Sequence, residues 1–76
     1  MSEATPMRRK WGQTIRRYRR FLDWTQEDLA QKLGVSTAAV TGWERGVRTP
    51  SPDMIVRLVR LLGIPPEELL VDESVA

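Results

Sequence analysis

Residues Thr25 to Gly46 read TQEDLAQKLGVSTAAVTGWERG, and the punctuation of this stretch decides how the chain folds. Thr25 precedes Gln26, Glu27 and Asp28. Its hydroxyl is placed to accept from the amide three residues on, while the Asp28 carboxylate answers the Thr25 amide; this Asp variant of the capping box starts a helix. Leu29, Ala30 and Leu33 fall on one face of that helix. Gly34 follows as the residue that takes the left-handed conformation ending it. The pattern restarts at once, with Ser36 as N-cap, Thr37 to Arg45 free of breakers except Gly42, and Gly46 as the next C-terminal glycine. Val40 and Trp43, three apart, face inward.

Two short helices joined by a turn of Gly34, Val35 and Ser36 have the spacing of a helix-turn-helix. Upstream, Met7, Trp11, Ile15, Tyr18 and Leu22 recur at intervals of three and four, one stripe of an amphipathic first helix that begins just after Pro6. Arg9, Arg16 and Arg20 lie on its opposite face. Trp24 is the apolar residue ahead of the capping Thr25, placed as a staple to the next helix. Downstream, Ser51 and Pro52 pair an N-cap with proline at the first helical position. Met54, Ile55, Leu58, Leu61 and Leu62 then keep helical spacing up to Gly63. Pro65 stops that helix, and Pro66 to Leu70 predict a fifth, single-turn helix with Glu67 and Glu68 at its positive end. No run alternates with period two, so a sheet has no support.

Composition narrows the function. The chain has 76 residues, twelve Lys and Arg against ten Asp and Glu, and neither Cys nor His. That length predicts one domain. The missing residue types remove disulfides, thiolate nucleophiles, imidazole bases and Cys/His zinc sites. The adjacent carboxylates Glu27 with Asp28 and Glu67 with Glu68 sit at helix starts, where the dipole explains them, so no catalytic residue, metal or cofactor is expected. Apolar runs are far shorter than the roughly 20 residues that span a bilayer. The opening MSEATPM has no signal-peptide core, which predicts a soluble, cytoplasmic protein. The net charge of +2 hides an asymmetry: residues 1–22 carry +6, residues 23–63 are neutral, and residues 64–76 carry −4. Such a distribution suits an anion-binding surface with an acidic counter-end.

The central stretch resembles the DNA-binding helix-turn-helix of the phage Cro and repressor (Xre-type) family. The resemblance rests on Ile15 with Arg19, Thr25–Gln26, Leu29–Ala30, Gly34 to Ser36, Trp43 to Gly46, Pro50–Ser51, and Leu62 to Ile64 with Leu69, all in order. It implies an all-α, compact five-helix, lambda-repressor-like domain over residues 8–70, between an N-terminal arm at 1–7 and an acidic tail at 71–76. It also implies a sequence-specific transcriptional regulator of double-stranded DNA, with a repressor favoured, that inserts the helix from Thr37 to Arg45 into the major groove.

Site residues follow from position. Thr37, Ala38, Thr41 and Gly42 are expected on the base-reading face. Gln26, Ser36, Arg45, Arg48 and Thr49 are expected at phosphates, with arm contacts from Arg8, Arg9 and Lys10. Glu44, near a helix C-terminus where the dipole opposes it by about 0.3–1 kcal/mol, calls for a compensating cation. The resemblance supplies Arg19, as a structural ion pair. Trp11 and Trp43 are assigned to the core, and Ala30 to a close helix crossing. Direct readout is expected to be weak, because two Thr, an Ala and a Gly lack the Arg, Lys, Asn or Gln forks that read paired base edges. Shape of the site, with Arg45 and Arg48 at its periphery, supplies the rest. A small footprint favours a homodimer through Ile64, Leu69, Leu70 and Val71. The alternative is an antitoxin or coactivator-like adapter in which the acidic end grips a protein partner.

Overall fold

Each helix begins or ends at a residue whose own chemistry sets the boundary. The computed structural model describes residues 6–65, 67 and 68, with side chains from Lys10 onward. Four helices run in order: α1 (Pro6–Phe21), α2 (Gln26–Leu33), α3 (Thr37–Arg45) and α4 (Pro52–Leu62). No strand occurs among the described residues. α1 starts with proline in its first turn, where the missing amide costs nothing, and so takes in Pro6 and Met7 from the stretch read as an arm.

The capping box of α2 is complete. The Asp28 amide donates to Thr25 Oγ1 and the Thr25 amide to Asp28 Oδ2, each at 2.9 Å. The Thr25 amide, and after it the Thr25 hydroxyl, hold the Asp28 carboxyl below its ordinary value. A depressed carboxyl contributes stability above its unfolded value and loses it as pH falls through the folded one. Thr25→Ala therefore costs about 0.5–2 kcal/mol in urea unfolding at neutral pH. It also moves the Asp28 titration, followed by NMR, toward the ordinary range. The backbone amide of residue 25, the larger cause, survives the change, so the titration moves only part of the way, and it is an unchanged unfolding midpoint that contradicts the capping assignment.

Gly34 closes α2 at φ 72°, with its amide turned back to the Ala30 and Gln31 carbonyls. Ser36 and Ser51 cap α3 and α4 by accepting from the Ala39 and Met54 amides at 3.1 and 3.2 Å. α1 ends without a glycine. Asp23 takes the left-handed conformation at φ 66°, and the Trp24 amide donates to the Arg19 carbonyl at 3.1 Å. That turn carries Leu22 off the stripe and leaves it exposed, which corrects its assignment to the inner face.

The core is one cluster: Ile15, Leu29, Ala30, Leu33, Val40, Trp43, Leu58, Leu62 and Ile64, with Trp11, Tyr18 and Trp24 packed at its edge. α3 packs against both α1 and α2, and α1 also meets α4. Gly12 permits a close approach of α1 to α3. A Cβ there would lie 2.6 Å from the Glu44 carbonyl oxygen and nearer still to that of Trp43.

Two expectations are corrected at the C-terminal side. The described chain has four helices and not five. Of the described residues after Pro65, Glu67 and Glu68 are helical, with a Glu68 amide to Pro65 carbonyl bond of 2.9 Å. Ile64, expected at a dimer interface, is 2% exposed in the chain's own core. Leu69, Leu70 and Val71 lie outside the described residues.

Candidate nucleic-acid interface

α3 turns one edge outward and braces the other. Thr37, Ala38 and Arg45 are exposed and Thr41 is half-exposed, while Val40 and Trp43 are buried. Gly42 does not belong to the reading face. It is buried, and a Cβ on it would lie 2.8 Å from Cδ and 3.0 Å from Cγ of Arg48. The physical reason is the loop after α3. The Val47 and Arg48 amides both donate to the Gly42 carbonyl, at 3.0 and 3.2 Å, which folds the Arg48 stem over the glycine. The same bonds keep the exposed Arg48 and Thr49 beside the exposed Arg45.

Behind this face a chain of polar bonds crosses three helices. Arg19 meets Glu44 with two nitrogens: Nε donates to Oε2 at 2.7 Å and Nη2 to Oε1 at 3.1 Å. Its Nη1 donates to the Trp24 carbonyl at 2.6 Å. The side chains of Arg19 and Glu44 are 10% and 3% exposed, so this is a buried pair. Glu44 Oε1 also accepts from Gln26 Nε2 at 3.0 Å, and Gln26 Oε1 accepts from the Thr41 hydroxyl at 2.7 Å. Among the described residues no buried side-chain nitrogen or oxygen lacks a partner.

Gln26, at the start of α2 as expected, is also tied into this chain of bonds. Both ends of its amide are engaged within the chain, Nε2 with Glu44 and Oε1 with Thr41, which leaves the second Nε2 proton beside the backbone amides at the start of α2. Ser36 keeps its place at the start of α3, its oxygen already accepting the cap bond. Arg8, Arg9 and Lys10, expected as an arm, belong to the first turns of α1.

The sequence did not disclose what the acidic end does. Glu68 Oε1 accepts from Arg17 Nη2 at 2.6 Å, and Glu68 Oε2 accepts from the Tyr18 hydroxyl. That bond to Glu68 is the main cause of a raised Tyr18 pKa. The Arg17 guanidinium lies 5.6 Å from the Tyr18 ring centre. Beside this contact Phe21 stands 85% exposed, and Gln13, Arg16, Arg17 and Arg20 line a shallow basic groove on the outer face of α1. The charge asymmetry was a signal that the two ends attract, but it named no partners. Among the described residues there is no cluster of three or more His, Cys, Asp or Glu suited to a metal, and no helix is long and apolar enough to cross a membrane.

Two capped helices braced by a buried ion pair, with a basic loop at the exit of the second, define a helix-turn-helix domain. A helix-turn-helix family model matches residues 15–69. Over 64 residues the chain is 38% identical to YazB of Bacillus subtilis, an uncharacterised HTH-type transcriptional regulator, covering 84% of this chain and 93% of that one. It is 40% identical over 55 residues to an uncharacterised HTH-type transcriptional regulator of Mycobacterium tuberculosis, of which it spans 22%. It is similar in structure to the restriction-modification controller protein C.AhdI from Aeromonas hydrophila. The TM-score is 0.73 and the identity 38%, and the match covers 83% of this chain and 96% of that one. The chain belongs to the Cro/repressor (Xre-type) helix-turn-helix family, whose members are DNA-binding transcriptional regulators and not enzymes.

Proposed function

We propose that this chain represses transcription by binding a specific double-stranded DNA site with α3 in the major groove. The observation that carries this reading is the α3 edge itself. Exposed Thr37 and Ala38 lead it, and exposed Arg45, Arg48 and Thr49 follow at its exit, on a helix fixed from behind by the Arg19–Glu44 pair. Small side chains on α3 bring the backbone close to the groove floor, and their methyl groups suit thymine methyls. The α2 amide end, Ser36 and the Arg45 to Thr49 segment hold the phosphates and set register. A module of this size buries roughly 600–1,000 Å² on DNA, so useful affinity calls for two copies on an inverted repeat with half-site centres about 10 bp apart.

Binding to a labelled duplex taken from the DNA flanking its own gene, measured across a salt series, tests this. Log affinity is expected to fall linearly with log salt, and Arg45→Ala and Arg48→Ala each to lower the slope by about 1. Binding that ignores salt, or slopes untouched by both changes, contradicts the proposal. The adapter reading, in which the acidic end grips another protein, is weakened because Glu68 is engaged by Arg17 and Tyr18 within the chain.

A further inference from the structure

The polar chain behind α3 fixes more than the position of the helix. It also fixes which way a hydrogen bond at Thr41 can run. The Glu44 carboxylate, paired with Arg19, offers only acceptors, so the Gln26 amide must turn its NH₂ toward Glu44. Its carbonyl oxygen then faces Thr41, 2.7 Å from Oγ1. That oxygen has no proton to give, so the Thr41 hydroxyl donates its own. The proton is spent inside the protein, and what the half-exposed Thr41 keeps for a ligand is lone pairs and a methyl group.

We infer that Thr41 is a specificity-determining residue that accepts a hydrogen bond from an exocyclic amine, selecting adenine or cytosine at one base position of each half-site. The inference rests on the reading of α3 as the helix in the major groove. There adenine N6 and cytosine N4 are donors, whereas guanine O6 and N7 and thymine O4 are acceptors that would face the Thr41 lone pairs. Every base pair carries one amine in the major groove, so Thr41 discriminates the orientation of a pair. A·T is preferred to T·A, and C·G to G·C, on the contacted strand. Arg19, Glu44 and Gln26 touch no base in this scheme. They set the polarity of a residue that does.

Selection from random duplexes with the full chain, followed by affinities for every single-base variant of the selected site, tests the inference. The wild type is expected to show one position per half-site where A or C exceeds G or T by about fivefold, the size of one net hydrogen bond. Thr41→Val keeps the methyl and shape but not the oxygen, and is expected to flatten that position alone. Replacing the contacted base by its amine-free analogue, purine for adenine or 2-pyrimidinone for cytosine, reproduces the loss in the wild type and adds nothing in Thr41→Val. Gln26→Met, with folding checked by circular dichroism, frees the Thr41 proton and lets G or T be accepted there. The inference is overturned if Thr41→Val changes no position, or if the position it flattens prefers G or T. If the wild type enriches no duplex at all, the reading of α3 fails first, which these outcomes keep distinct.

Discussion

Arg19→Ala unfolds this protein more readily than any other single arginine-to-alanine change on α1. The Glu44 carboxylate is 3% exposed and accepts two bonds from Arg19 and one from Gln26. Without Arg19 it remains buried with the neutral Gln26 amide as its donor, and removing one partner of a buried pair costs roughly 3–5 kcal/mol. The Trp24 carbonyl loses its guanidinium donor as well. Arg16 is exposed on the opposite side of the same helix, and Arg16→Ala is expected to cost about 0–1 kcal/mol. A domain of marginal stability, about 5–15 kcal/mol in general, feels the first change as a large fraction of its total. Urea unfolding of the two variants measures the difference, and equal midpoints would remove the ion pair from any account of stability. Replacing both partners, Arg19→Met with Glu44→Leu, recovers much of the loss, because an apolar pair leaves no charge unmet.

What was legible in the sequence divides by range. The caps at Thr25, Ser36 and Ser51 act over three residues, and the left-handed glycines after α2, α3 and α4 are equally local, so each boundary could be read directly. The misfit of Glu44 with its helix dipole signalled that a cation was needed, but only family resemblance pointed to Arg19. Gly42 looked like an outward position because helical spacing is blind to a loop returning over it. Gln26 looked free because the groups that engage its amide come from α3, 15 and 18 residues away. Ile64 follows a helix-ending glycine, and spacing gave no sign that the chain turns it back into the core. In each case the missing information was the path of the chain between elements, which pattern alone does not carry.

Gly12 is the position where that path leaves least room, and Gly12→Val is expected to be as damaging as loss of Arg19. A Cβ at Gly12 would stand 2.6 Å from the carbonyl oxygen and 2.8 Å from the carbonyl carbon of Glu44, and closer to the Trp43 oxygen. These are backbone atoms in the last turn of α3, so no side chain can rotate out of the way. Relief requires α1 to lift from α3, and the Arg19–Glu44 bonds cross the same seam. Overpacking alone costs about 1–3 kcal/mol, and stretching a buried ion pair adds to it. Gly12→Ala gives the sharper sign. Helix propensity alone favours alanine over glycine by about 1 kcal/mol, so an α1 that merely touched α3 would gain stability from the change. Close approach predicts a loss instead. Gly34→Ala separates this from backbone strain, since Gly34 has φ 72° with open space around it and should cost about 1–2 kcal/mol from conformation alone. Thermal unfolding should order the variants as wild type, Gly34→Ala, then Gly12→Val, with Gly12→Ala below wild type; a Gly12→Ala protein that melts above wild type would show that α1 and α3 are not held at this distance.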